Sequence, residues 1–173
     1  DWFLITADAD AVPGNIQCTV TMTAGTDEYP YQEQETINLD LTLSQFGFPL
    51  DGIVVKSSPI VADLNSDGMK EIYFGSDNEA LHGYNSFGEE IDGFPFQSTD
   101  RVRSSPAVGD VDSDGQMEIV FGNSSGKLYI VNHDGSRELA YTLLGFVEST
   151  PALVDIDGDQ DLEIFFTTTT TSG

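Results

Sequence analysis

Three stretches of the chain carry oxygen side chains at one fixed spacing. The first is Asp63-Leu64-Asn65-Ser66-Asp67-Gly68-Met69-Lys70-Glu71. The second is Asp110-Val111-Asp112-Ser113-Asp114-Gly115-Gln116-Met117-Glu118. The third is Asp155-Ile156-Asp157-Gly158-Asp159-Gln160-Asp161-Leu162-Glu163. Positions 1, 3, 5 and 9 of each are Asp, Asn or Glu. A tightly curled loop brings alternate positions toward one point, and calcium takes six to eight hard oxygen ligands in a flexible cage. Position 2 is Leu, Val or Ile and is expected to turn into a core. Gly at position 6 permits a sharp bend. The carbonyl at position 7 (Met69, Gln116, Asp161) completes the expected set.

Charge repulsion argues for a cation. Two unit charges about 4 Å apart repel by about 1 kcal/mol in water and about 4 kcal/mol at an effective dielectric near 20. Three or four carboxylates in one loop therefore resist folding without a counter-ion. Magnesium prefers fewer carboxylates and keeps its waters. Zinc favours His or Cys, and neither stands in these loops. An EF-hand places its last acid at position 12 between helices, whereas here the acid is at position 9 with a strand after it. A nine-residue calcium-roll repeat is absent. In the third loop Gln160 stands at position 6, and Gly158 and Asp161 are expected to compensate.

The loops sit inside a longer repeat. Ser57-Ser58-Pro59 recurs as Ser104-Ser105-Pro106 and Ser149-Thr150-Pro151, with the prolines 47 and then 45 residues apart. Gly47-Phe48-Pro49 recurs as Gly93-Phe94-Pro95. After each loop comes a strand pattern: Glu71-Ile72-Tyr73-Phe74-Gly75, Glu118-Ile119-Val120-Phe121-Gly122, and Glu163-Ile164-Phe165-Phe166-Thr167. Hairpins follow into Ala80–Tyr84 and Lys127–Val131, and the third unit carries no such outer half. A period in the mid-forties, built of short strands and Gly turns, is the size of one four-stranded propeller blade. The expected fold is all-β, an incomplete β-propeller of about two and a half blades over 46–173. Since a ring needs about four to eight blades, the open edges require a longer chain or another chain.

Residues 46–173 resemble the FG-GAP/VCBS-type repeats, the calcium-loop blades of integrin α-subunits and many secreted bacterial proteins. The resemblance rests on the Ser-Pro openings, the acidic loops and the strands after them. It implies up to three structural calcium ions, held at Asp63, Asn65, Asp67 and Glu71 and at their counterparts in the other two loops. Residues 1–45 more weakly resemble the last strands of an immunoglobulin-like sandwich. The cues are Phe3-Leu4-Ile5 before Asp8-Ala9-Asp10-Ala11-Val12-Pro13, then two alternating strand patterns at 16–23 and 36–43. In the same stretch Trp2–Thr6 reads as a strand, Pro13-Gly14-Asn15 as a turn and 24–35 as a polar loop.

Composition narrows the function. The 173 residues hold 30 acidic and 6 basic side chains, a formal charge of −24. Six scattered cations supply no basic face for nucleic acid or for anionic membrane surfaces. No apolar run exceeds four residues, so membrane insertion is not expected. The single cysteine, Cys18, lies in an alternating run and reads as a small buried hydrophobe. Gly122-Asn123-Ser124-Ser125-Gly126 matches G-x-S-x-G but lies between two strand patterns, and a nucleophile elbow needs strand–turn–helix. His82 and His133 show no partner constellation in the sequence. Arg101 and Arg103 read as a solvated edge. The Thr167–Thr171 run reads as an edge strand or loop, with O-glycosylation as the sharper reading.

The expectation is therefore a non-catalytic calcium-binding module of an extracellular or cell-surface protein, with a protein or glycan ligand. The alternative is a structural subunit that pairs with further copies of itself. A third reading is an accessory part of a secreted hydrolase.

Overall fold

The computed structural model describes residues 14–26, 29–41, 47–48 and 50–170. The chain divides into two compact units, Asp1–Gln45 and Phe46–Gly173. Among the described residues every regular element is a β-strand, and there is no helix to cross a membrane.

In the first unit, β1 (Gly14–Thr26) pairs antiparallel with β2 (Tyr29–Leu41) over 13 residue pairs. Ile16 lies opposite Leu39 and Cys18 opposite Ile37, while Gln17 meets Asn38 and Thr19 meets Thr36. The alternation thus places like with like across the pair. The hairpin corrects two expectations. Gly14 and Asn15 begin β1 rather than form a turn, and most of the polar stretch 24–35 is strand. Thr, Gln, Glu and Tyr there lack an apolar face, yet Thr and Tyr suit extended backbone well. Trp2–Thr6 and Leu43 lie outside the described residues.

The second unit repeats one design. β3 (Ile60–Ala62), β4 (Glu71–Gly75), β5 (Ala80–Tyr84) and β6 (Phe96–Gln97) form an antiparallel meander in chain order. β7 (Ala107–Gly109), β8 (Glu118–Gly122), β9 (Lys127–Val131) and β10 (Arg137–Thr142) form a second. β11 (Ala152–Val154) and β12 (Glu163–Phe165) make a two-stranded third sheet. Among the described residues none of the sheets closes on itself.

Register explains the packing. Each sheet has one pair facing forward along the chain and one facing back. Ile60 lies opposite Tyr73, and both join a core shared with Val108, Ile119, Phe121 and Tyr129 of the second sheet. From the other side of the second sheet, Val120, Leu128 and Ile130 meet Leu153, Ile164 and Phe166 of the third. Phe96 reaches across from β6 onto the rings of Phe121 and Tyr129, at centroid distances of 5.8 and 5.4 Å. β8 is buried on both faces, which is why its apolar run does not alternate.

The Ser-Ser/Thr-Pro openings also touch one another. The Ser104 hydroxyl donates to the Ser149 carbonyl at 2.7 Å, and the Ser58 N–H donates to the Ser105 hydroxyl at 2.8 Å. The Gly-Phe-Pro repeat sets a second contact. Gly93 (φ +87°) lies against the turn that ends at Gly135, and a Cβ there would fall 1.9 Å from the Asp134 carbonyl oxygen. Gly47 meets the Phe87-Gly88 turn in the same way.

Candidate metal centre

Each acidic loop joins the first strand of its sheet to the second. β3, β7 and β11 end one residue before Asp63, Asp110 and Asp155, and β4, β8 and β12 begin at Glu71, Glu118 and Glu163. The sheet register therefore fixes positions 1 and 9 side by side.

Backbone bonds curl the residues between them. The Asp114 N–H donates to Asp110 Oδ1 and Asp112 Oδ1 at 3.1 and 3.0 Å. The Gly115 N–H donates to Asp110 Oδ2 at 3.0 Å, and the Gln116 N–H to Asp114 Oδ1 at 2.8 Å. The first loop repeats this set with Asp63, Asn65, Asp67, Gly68 and Met69. In the third loop Gln160 and Asp161 make the corresponding bonds to Asp155 and Asp159.

Each loop holds two residues in the left-handed region. Ser66 and Gly68 occupy positions 4 and 6 of the first loop, and Ser113 and Gly115 those of the second. In the third loop Gly158 stands at position 4 and Gln160 at position 6, with φ +86° and +81°. Gly158 thus takes over the conformation that serine bears elsewhere. Gln160 still adopts the glycine-like bend, so the expected compensation does not relieve position 6.

Positions 1, 3 and 9 converge. Asp110, Asp112 and Glu118 bring carboxylate oxygens within 4.8 Å of one another, as do Asp155, Asp157 and Glu163. These two clusters could hold a metal ion. Asp114 and Asp159 at position 5 lie outside the closest groups and bond the position-7 N–H instead. In the first loop the position-3 residue is Asn65, leaving Asp63 and Glu71 as the flanking acids.

In the first two loops the position-9 glutamate is the buried member, whereas Glu163 is half-buried. Glu71 is 4 % exposed and Glu118 2 %. Glu118 Oε2 accepts the Val111 N–H at 2.9 Å, and Glu163 Oε2 accepts that of Ile156 at 2.9 Å. Glu71 Oε2 is buried and has no hydrogen-bond partner. Burial pushes the Glu71 carboxyl up, opposed by the Leu64 N–H and reinforced by Asp67 and Asp63. Burial likewise raises Glu118, with Val111 opposing and Asp112, Glu138 and Asp114 adding. A buried, unpaired carboxylate oxygen is costly, and a cation among these oxygens would satisfy it.

Glu138, which the loop pattern does not contain, shares a cavity of about 210 Å³ with Asp112, Asp114 and Glu118. It comes from β10 and is exposed, and partial desolvation together with the charges of Asp112 and Asp114 raises its carboxyl. The loops also touch directly: the Ser113 hydroxyl donates to Asp161 Oδ1 at 3.0 Å. Position 2 varies, since Leu64 is buried and Val111 packs in the second core, but Ile156 is 68 % exposed.

Other expectations are corrected. His82 has partners: Nδ1 lies 2.9 Å from Glu90 Oε1 and Nε2 3.2 Å from Asn78 Oδ1, with the ring stacked against Phe74 and Tyr84. Arg103 is no solvated edge, because its Nε donates to Asp77 Oδ1 at 2.8 Å and Nη1 lies 3.9 Å from Glu148. Ser124 lies in the β8–β9 hairpin, where its hydroxyl donates to Glu148 at 3.2 Å. That is strand–turn–strand, as the spacing implies. Thr167–Thr170 are exposed, and Thr169 bridges to Phe146.

Comparison with known proteins agrees with the geometry over part of the chain. A family model of the FG-GAP-like repeat matches residues 63–121. That span runs from the first residue of the first loop into β8, and so contains two complete loops. No curated protein matches the chain.

Proposed function

We propose that the chain is a non-catalytic, calcium-binding module of a secreted or cell-surface protein. Its sheets are propeller blades, and its role is adhesion or the binding of a protein or glycan ligand. The observation that carries this reading is Glu71 Oε2, a buried oxygen without a partner inside a loop design that recurs three times. Calcium suits the donors best, because they are all oxygens and mostly carboxylates. Asp63, Asn65 and Glu71 would hold one ion, Asp110, Asp112 and Glu118 a second, and Asp155, Asp157 and Glu163 a third. The ions supply no reaction step. They neutralise the acids and fix each loop across the first two strands of its sheet, so metal binding is coupled to folding. The similarity to FG-GAP-like repeats, a family generally without catalytic activity, supports the same reading.

Unfolding measured in calcium and in excess chelator tests it. At about 100 times the dissociation constant each bound ion adds about 2.7 kcal/mol of stability. The expected result is a large upward shift of the transition in calcium and none in magnesium at equal concentration. Identical curves in calcium and chelator contradict the reading.

A second reading is a structural subunit completed by strand pairing between chains. Among the described strands β12 is paired on one side only, and an extended segment of another chain could add there.

A further inference from the structure

The first sheet departs from the repeat at one place beside its acidic loop. Where β8 and β9 set Val120 opposite Ile130, β4 and β5 set Tyr73 opposite Gly83. The third unit has Phe165 at the corresponding position. At this position a hydroxyl stands in the first unit only. Gly83 makes room for it, because a Cβ there would fall 2.8 Å from Tyr73 Cε1. The Tyr73 ring lies 5.3 Å from that of Phe94 at an interplanar angle of 60° and packs in the same core as Leu64 of the loop. Tyr73 is 1 % exposed.

Glu71 and Tyr73, two residues apart on β4, share one face of the strand. Tyr73 also lines a cavity of about 480 Å³ together with Asn65 of the loop. Burial raises its phenol above the ordinary 10.0, and the charges of Glu71, Asp63 and Asp67 raise it further, as does a hydrogen bond to the Glu71 side chain. The hydroxyl therefore keeps its proton and is the donor in that bond. The Leu64 N–H is a second donor to Glu71. Even so, Glu71 Oε2 is buried without a partner. Two donors thus hold the carboxylate while one of its oxygens is left over.

We propose that Tyr73 is a positioning residue of the first metal site, its hydroxyl holding the Glu71 carboxylate so that Oε2 is the oxygen offered to the ion. The inference rests on the calcium reading above. Position 3 of this loop is the neutral Asn65, where the other loops have Asp112 and Asp157. The first site therefore has one charge fewer to draw an ion and depends more on how its remaining acids are oriented. Hydrogen bonds that orient a metal ligand are worth about 10- to 100-fold in metal affinity.

Calorimetric calcium titration of the full chain and of Tyr73→Phe tests it. Phenylalanine keeps the ring over Gly83 and removes only the hydroxyl. One of the three sites is expected to weaken about tenfold or more, with the other two unchanged. In a Glu71→Gln background Tyr73→Phe is expected to alter neither remaining site, since the residue acts through Glu71. Urea unfolding separates this from a purely structural role, because the stability lost in Tyr73→Phe is expected to be larger in calcium than in chelator. Circular dichroism checks that the fold is kept. If Tyr73→Phe unfolds, Tyr73→Val combined with Gly83→Ile, which installs the pair of the second sheet, replaces it with the same loss expected. Unchanged affinity at every site, a loss spread over all three, or equal stability losses in calcium and chelator overturn the inference. Three ions bound equally by wild type and Tyr73→Phe overturn it alone, whereas a wild type that binds none overturns the calcium reading and this inference with it.

Discussion

Asp110 and Glu118, eight residues apart, bring carboxylate oxygens within 4.8 Å of each other because β7 and β8 pair at Gly109 and Glu118. The sheet itself enforces this approach of two negative charges. Asp112 joins them, and among the described residues lining the cavity that Asp112 and Glu118 share with Glu138, His133 is the one basic side chain.

Removing one charge should therefore act in opposite directions with and without metal. Glu118→Gln keeps an oxygen to accept the Val111 N–H. In chelator it is expected to stabilise the protein by about 1 kcal/mol, through lost repulsion and cheaper burial. In calcium it removes a ligand and is expected to destabilise by about 1–3 kcal/mol, since each tenfold loss of affinity is about 1.4 kcal/mol. Urea titration in both conditions reads the sign. The same sign in both contradicts the metal role.

The raised carboxyls give a pH signature for the metal-free chain. Glu71, Glu118 and Glu138 lie above their ordinary value of 4.5 in the folded state. The folded protein then holds more protons than the unfolded one between 4.5 and the raised values, so stability falls as pH rises through that window. Asp77 and Asp134 are held below their ordinary 3.8 by Arg103 and by Ser136. Their contribution is lost only below 3.8. In chelator the melting temperature should rise from neutral pH down toward 4.5 and drop below 3.8. In calcium the first trend should reverse, because protons compete with the ion.

The third loop contains removable strain. Gln160 holds φ at +81°, where the first two loops have glycine. A left-handed non-glycine residue costs about 1–2 kcal/mol, partly offset by the entropy that glycine loses on folding. Gln160→Gly should stabilise the protein by up to about 1 kcal/mol in a thermal melt. A loss of stability would mean that the Gln160 side chain does more than occupy the bend.

Gly93 and Gly115 separate conformation from contact. Both have φ near +88°, at +87° and +89°. A Cβ on Gly115 meets nothing within 4 Å, whereas on Gly93 it meets the Asp134 carbonyl oxygen at 1.9 Å. Gly115→Ala should cost about 1 kcal/mol, the conformational penalty alone. Gly93→Ala must also push two backbone segments apart, and overpacking adds about 1–3 kcal/mol. Equal losses on denaturant unfolding would count against the contact.

The sequence made the site more legible than its surroundings. Position spacing revealed the loops, because hydrogen bonds between neighbours set their geometry, and it placed Asp110 beside Glu118 without knowledge of the sheet. Glu138 was not legible. It stands alone on β10, whose side chains are all exposed and follow no period, and only the meander brings it to Asp112. The partners of His82 and Arg103 were hidden for a related reason, since Glu90 and Asp77 reach them across strands and between sheets. The 24–35 stretch was misread because its composition is that of a loop while its pairing with β1 is that of a long hairpin. Ile156 breaks the position-2 rule because the core that buries Leu64 lies between two sheets, and among the described residues the third sheet packs on the second alone.

The central claim is that these loops bind calcium, and calorimetric titration of the chelator-treated 173-residue chain tests it most directly. The account predicts saturable binding of three calcium ions per chain, one fewer in Glu71→Gln, with magnesium unable to replace them. A flat titration, or magnesium binding with equal stoichiometry and affinity, contradicts it.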